Sequence, residues 1–92
     1  MAEQLRGKSI VAVAHDIAEG FFSVNPLILK KFEVESCRAL HQQLRKLQSQ
    51  VRAERFPLHD ADAIRHRNSR LQRLHNAVVV LERFAHERRI RL

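Results

Sequence analysis

Arg38, Arg45 and Arg52 recur every seven residues, and His41, Gln48 and Arg55 interleave with them at steps of three or four. On a helix these six positions form one continuous ridge. No carboxylate interrupts it. A guanidinium presents a planar fork of donors that fits two phosphate oxygens at once, so the ridge suits a polyanion. Folding the chain back at Pro57 brings Arg65, Asn68, Gln72 and His75 onto the flanking face, while Arg67, Arg70 and Arg73 add charge on the same end. Arg38, Arg45, Arg52, Arg55, Arg65, Arg70 and Arg73 are therefore the candidate phosphate contacts. The same residues also fit a plain solvated hairpin, whose outer heptad positions are normally charged. There is no Trp or Tyr, and the five Phe fall at core or turn positions. Base stacking of the kind single-strand readers use is not expected, and sequence readout would be slight.

The six histidines and Cys37 are the other chemical candidates. Pairing about Pro57 would set His41 level with His75, with Cys37 one turn away. Imidazoles and a thiolate can hold zinc. However, the chain has no CxxC or HxxxH spacing, and Cys37 falls on an apolar seam, where a cysteine packs as a small hydrophobe. No metal or cofactor is expected. His15 with Glu19 and Glu82 with His86 are spaced as surface pairs along one helix. Gly7-Lys8-Ser9 resembles the end of a phosphate-binding loop, but that loop needs a glycine at position 2, where the chain has Ala2, and a preceding strand. His59, Asp60, Asp62 and His66 cluster near the turn, yet Asp60 is better placed as a helix cap. No serine or cysteine has a base and an orienting partner, and a slender helical tip offers no concave pocket. The expectation is a protein that is not an enzyme.

The charge is uneven. Residues 1–36 carry four basic and five acidic side chains; residues 37–92 carry thirteen and five, within a formal net charge of +7. That asymmetry points to a polyanionic partner or a heavily solvated surface. A chain of 92 residues makes one domain and buries only about 60–65% of its unfolded surface, which favours a protein partner or self-association. One cysteine excludes an intrachain disulfide. No apolar run approaches the roughly 20 residues that span a bilayer, and the run Ile10–Ala14 is stopped by His15 and Asp16 too soon for a secretory signal. A cytoplasmic protein without membrane contact is expected.

The elements that would position these residues are helices. Ile10, Val13, Ala14, Ile17, Ala18 and Phe21 form an apolar stripe over a helix of about 9–21, capped by Ser9 and closed by Gly20. Asn25-Pro26 opens a second helix of about 26–55. Its later half is a heptad with Cys37, Leu44 and Val51 at a and Leu40 and Leu47 at d; upstream, Lys30 and Glu33 break that register. Phe56-Pro57-Leu58-His59 reads as the turn, and Asp60 caps a third helix of about 60–90. There Ile64, Leu71, Val78, Ala85 and Leu92 occupy a, with Leu74 and Leu81 at d. The fold class is all-α, an antiparallel coiled-coil-like hairpin with a short N-terminal third helix and no sheet. The open end is apolar on several sides around Ala77–Leu81 and Phe84, so the first helix is expected to cover that end. The tip would then remain a slender two-helix arm. Leu44, Leu47, Val51, Leu71 and Leu74 would be half-covered there and, with Val79, would form an interface between copies in a helical bundle. Two functions follow: a basic module binding RNA or DNA backbone, or a self-associating hairpin acting as an interaction module.

Overall fold

Three of the helices start at a polar side chain that satisfies an otherwise orphaned backbone donor. The computed structural model describes residues 4–5, 8–55 and 59–92. In α1 (Ile10–Glu19) the Ser9 hydroxyl accepts from Ala12 N at 3.1 Å. In α2 (Pro26–Leu29) Asn25 Oδ1 accepts from Ile28 N at 2.9 Å, with Pro26 in the first turn. α3 spans Val34–Ala53. In α4 (Ala61–Glu87) Asp60 Oδ1 accepts from Ala63 N at 2.9 Å. A minimal antiparallel ribbon, β1 (Gln4–Leu5) with β2 (Lys8–Ser9), precedes α1. It is a departure from the expected absence of any sheet, although residues 10–14 are helical as read. Lys8 Nζ ties the ribbon to Asp16 on α1 at 2.6 Å.

The fold is all-α and built on an antiparallel α3–α4 hairpin. α4 sets its length: 27 residues span about 40 Å at 1.5 Å per residue, against a longest dimension of 44 Å. The seam lies where the heptads put it. Cys37, Leu40, Leu44, Leu47 and Val51 from α3 meet Leu74, Val78, Leu81 and Ala85 from α4, all buried. Ile64 and Leu71 are half-buried, and Leu92 lies beyond the end of α4 and is exposed. The turn predicted at 56–59 falls mostly on residues 56–58, outside the described ones.

Two expectations are overturned. The helix predicted over 26–55 is two helices, α2 and α3, separated by residues 30–33. A continuous helix would press Lys30 and Glu33 into the apolar seam, and burying an unpaired charge costs several kcal/mol. The chain breaks instead, and both side chains stay in solvent. The break lets α2 fold onto α4, where Leu29 is fully buried, Val24 nearly so, and Phe22 and Phe32 pack against the same core.

This changes the role of α1. The open end is covered by segment 20–33, and the C-terminal end of α1 lies toward the turn, contrary to the expected bare tip. Glu19 reaches His66 and Arg70 near the start of α4. α1 packs on α3 and α4 alike. Ile10, Val13, Ala14, Ile17 and Ala18 join Leu44, Leu47, Val51 and Leu74 in a single core. Burying each such side chain is worth about 1.5–3 kcal/mol, so covering the seam is the stronger pull on the α1 stripe.

Candidate nucleic-acid interface

α3 positions the candidate site because its seam faces inward and fixes what faces out. With Cys37, Leu40, Leu44, Leu47 and Val51 buried, Gln42, Arg45, Lys46, Ser49 and Arg52 are left on the outer face, all exposed. No Asp or Glu occurs between Glu35 and Glu54. Among the described residues no carboxylate pairs with Arg45, Lys46 or Arg52. Arg45 and Arg52 are seven residues apart, about 10 Å along the axis, and Arg55 follows, exposed, just beyond the helix. The arrangement offers two forked guanidiniums, one ammonium, a hydroxyl and an amide on a single helical face, all able to donate to anionic oxygens.

The predicted six-residue ridge is narrower than its spacing suggested. Gln48 is buried, and His41 is largely covered, with Nε2 donating to Glu82 Oε2 at 3.0 Å. Heptad position e is turned against α4, which takes both residues off the outer face. His41 therefore meets Glu82 rather than His75, which is exposed elsewhere on α4. The connection 54–60 is longer than the tight turn on which the His41–His75 register rested. Glu82 is thus engaged across the hairpin, and Glu19 is engaged by His66 at 3.0 Å rather than by His15.

Four of the seven candidate arginines are engaged within the chain, three of them between separate elements. Arg38 donates to Glu35 at 2.6 Å and to the Arg91 carbonyl at 2.7 Å, pinning the C-terminal segment to α3. Arg65 is paired with Asp62, one turn earlier on exposed surface. Arg70 is mostly buried and grips Glu54 with both terminal nitrogens, with Glu19 beside its Nε. Arg73 donates to the Ala18 carbonyl at 3.0 Å, satisfying the end of α1. Arg45, Arg52 and Arg55 remain as the open set. Lys46 falls outside the seven-residue arginine repeat, so the repeat does not reveal it, yet it shares the exposed face with Arg45.

The nominated interface does not survive as a surface. Leu44, Leu47, Val51 and Leu74 are buried inside one chain, and Leu71 and Val79 are half-buried. The apolar seam is already used by α1. Cys37 lies in the same core, and burial pushes its thiol pKa up. Among the described residues no three His, Cys, Asp or Glu side chains converge as metal ligands, and no helix is long and apolar enough to cross a membrane. No family model, curated protein or solved structure matches the chain.

Proposed function

We propose that this chain is a binding module for a polyanion, and that its ligand is the phosphate backbone of RNA or DNA held on the outer face of α3. The observation that carries this reading is the exposed row Arg45, Lys46 and Arg52, unpaired among the described residues and without a carboxylate on its helix face. Arg38, Arg70 and Arg73 spend donors on Glu or backbone carbonyls and hold the scaffold, and Arg65 is paired with Asp62. Among the described residues the face has no aromatic side chain, which favours contact to phosphates over bases. Binding should then be insensitive to sequence and fall steeply with salt as counterions are released. The test is a salt titration of binding to generic duplex and single-stranded nucleic acid, comparing the parent with Arg45→Gln/Arg52→Gln. Absence of binding by the parent at low salt would overturn the reading. Self-association through the seam has less support, since a second chain would have to displace α1 from Leu44, Leu47 and Val51.

A further inference from the structure

The face opposite in character to the α3 row is an open groove of about 1160 Å3 between the end of α1, segment 20–33 and the middle of α4. Its apolar lining includes Phe21, Phe22, Val24, Ile28, Phe32 and Val80. Phe21 at its edge is 81% exposed, and Leu27, next to Ile28 on α2, is 70% exposed. Large side chains so far out of contact extend the apolar surface past the groove. Lys31 and Arg73 also line it, Lys30 precedes them at the exposed end of α2, and Glu33 is the one carboxylate among the described residues of the lining. Arg73 is held there by its bond to the Ala18 carbonyl.

We infer that this groove docks an acidic, amphipathic helical segment of another protein. The apolar face of such a helix would fill the groove, and its acidic flank would meet Lys30 and Lys31, the helix-in-groove mode of recognition. Phe21 and Leu27 extend the apolar surface beyond what a small ligand seated in the groove would cover. A second copy of this chain is disfavoured because it would bring cations against a cationic rim in a chain of net charge +7. A lipid surface is disfavoured because Phe22, Val24, Ile28, Phe32 and Val80 are recessed in the groove, where a flat bilayer surface would leave them unfilled.

The proposal is independent of the α3 face. A random 16-residue peptide display library is selected on the folded chain, and the enriched peptides are synthesised for fluorescence anisotropy. The expected winners carry Leu or Phe at helical spacing with Asp or Glu alongside. Their affinity should fall at least tenfold with Phe21→Ser/Leu27→Ser and, separately, with Lys30→Glu/Lys31→Glu. It should be unchanged in Arg45→Gln/Arg52→Gln. All four positions mutated in the first two variants are exposed, so circular dichroism should match the parent; if the apolar pair unfolds the chain, the charge pair decides. No enrichment, or enriched peptides indifferent to the charge pair, overturns the inference. So does a dimer that dissociates on Phe21→Ser/Leu27→Ser, which would identify a second copy as occupant. Binding of the parent to phosphatidylserine vesicles that the same variant loses would identify a membrane instead, and would likewise overturn it.

Discussion

Arg70 holds Glu54 with both terminal nitrogens, at 3.0 and 3.2 Å, and so ties α4 to the residue that ends α3. Its Nε lies 3.4 Å from Glu19, which brings in α1 as well. One side chain thus joins three helices, and it is only 16% exposed. Arg70→Gln removes the fork and leaves two carboxylates facing each other. The expected loss is about 1–2 kcal/mol, the lower part of the range for hydrogen bonds to charged groups because both carboxylates are partly solvated. Arg65→Gln removes an exposed pair and should change stability by less than about 0.5 kcal/mol. Urea unfolding of the two variants checks this, and equal midpoints would show that Arg70 does not tie the helices.

Two helix ends use the same backbone device with different residues. Gly20 has φ +84, with Phe21 N donating to the Asp16 carbonyl at 2.8 Å. Arg89 has φ +58, with Ile90 N donating to the Ala85 carbonyl at 2.8 Å. These are left-handed C-terminal caps, which favour glycine. A Cβ at Gly20 would also lie 3.2 Å from the Arg73 guanidinium. Gly20→Ala should therefore cost about 1–2 kcal/mol. Arg89→Gly should gain about 0.5–1 kcal/mol by removing the same strain. Thermal melts of the pair should move in opposite directions.

The seam was legible because heptad spacing is a local property: Cys37, Leu40, Leu44, Leu47 and Val51 all lie on one face whatever covers them. The caps Ser9, Asn25 and Asp60 were legible for the same reason. The placement of α1 was not, because Ile10, Val13 and Ile17 fit any apolar surface, and two such surfaces competed for them. The deciding signal was Lys30 and Glu33, which fail the heptad and mark the break that frees α2 to cover the open end. At the candidate site, the repeat of Arg45 and Arg52 was informative, but exposure had to be assigned by partners. Arg70 and Arg73 look identical to them in sequence and are committed to Glu54 and Ala18 in the fold.

Burial raises the pKa of the Cys37 thiol. In the unfolded chain the thiol ionises at its ordinary, lower pKa, so with rising pH the unfolded state loses this proton first. The contribution of Cys37 to stability is complete below the unfolded pKa and declines as pH rises through the folded one. Cys37→Ala should flatten the alkaline fall in stability while lowering stability at neutral pH through the lost packing. Ellman's reagent should label the native chain slowly, at a rate that rises with urea. Fast labelling of the native chain would contradict a thiol that is 1% exposed.

The polyanion reading stands on Arg45 and Arg52. Both are exposed on α3, and Gln keeps helix propensity within a few tenths of a kcal/mol, so Arg45→Gln/Arg52→Gln should melt like the parent. If each guanidinium neutralises one phosphate, losing both should reduce the log–log salt slope by about 1.8, at roughly 0.9 per contact on duplex DNA. The control is Arg83→Gln/Arg89→Gln, which removes the same charge from exposed positions on and just beyond α4. A general basic surface predicts equal losses from the two pairs. A face on α3 predicts a larger loss of affinity and slope from the first pair. Equal effects would return the arginine row to ordinary solvated surface and leave the groove at Phe21 as the chain's recognition site.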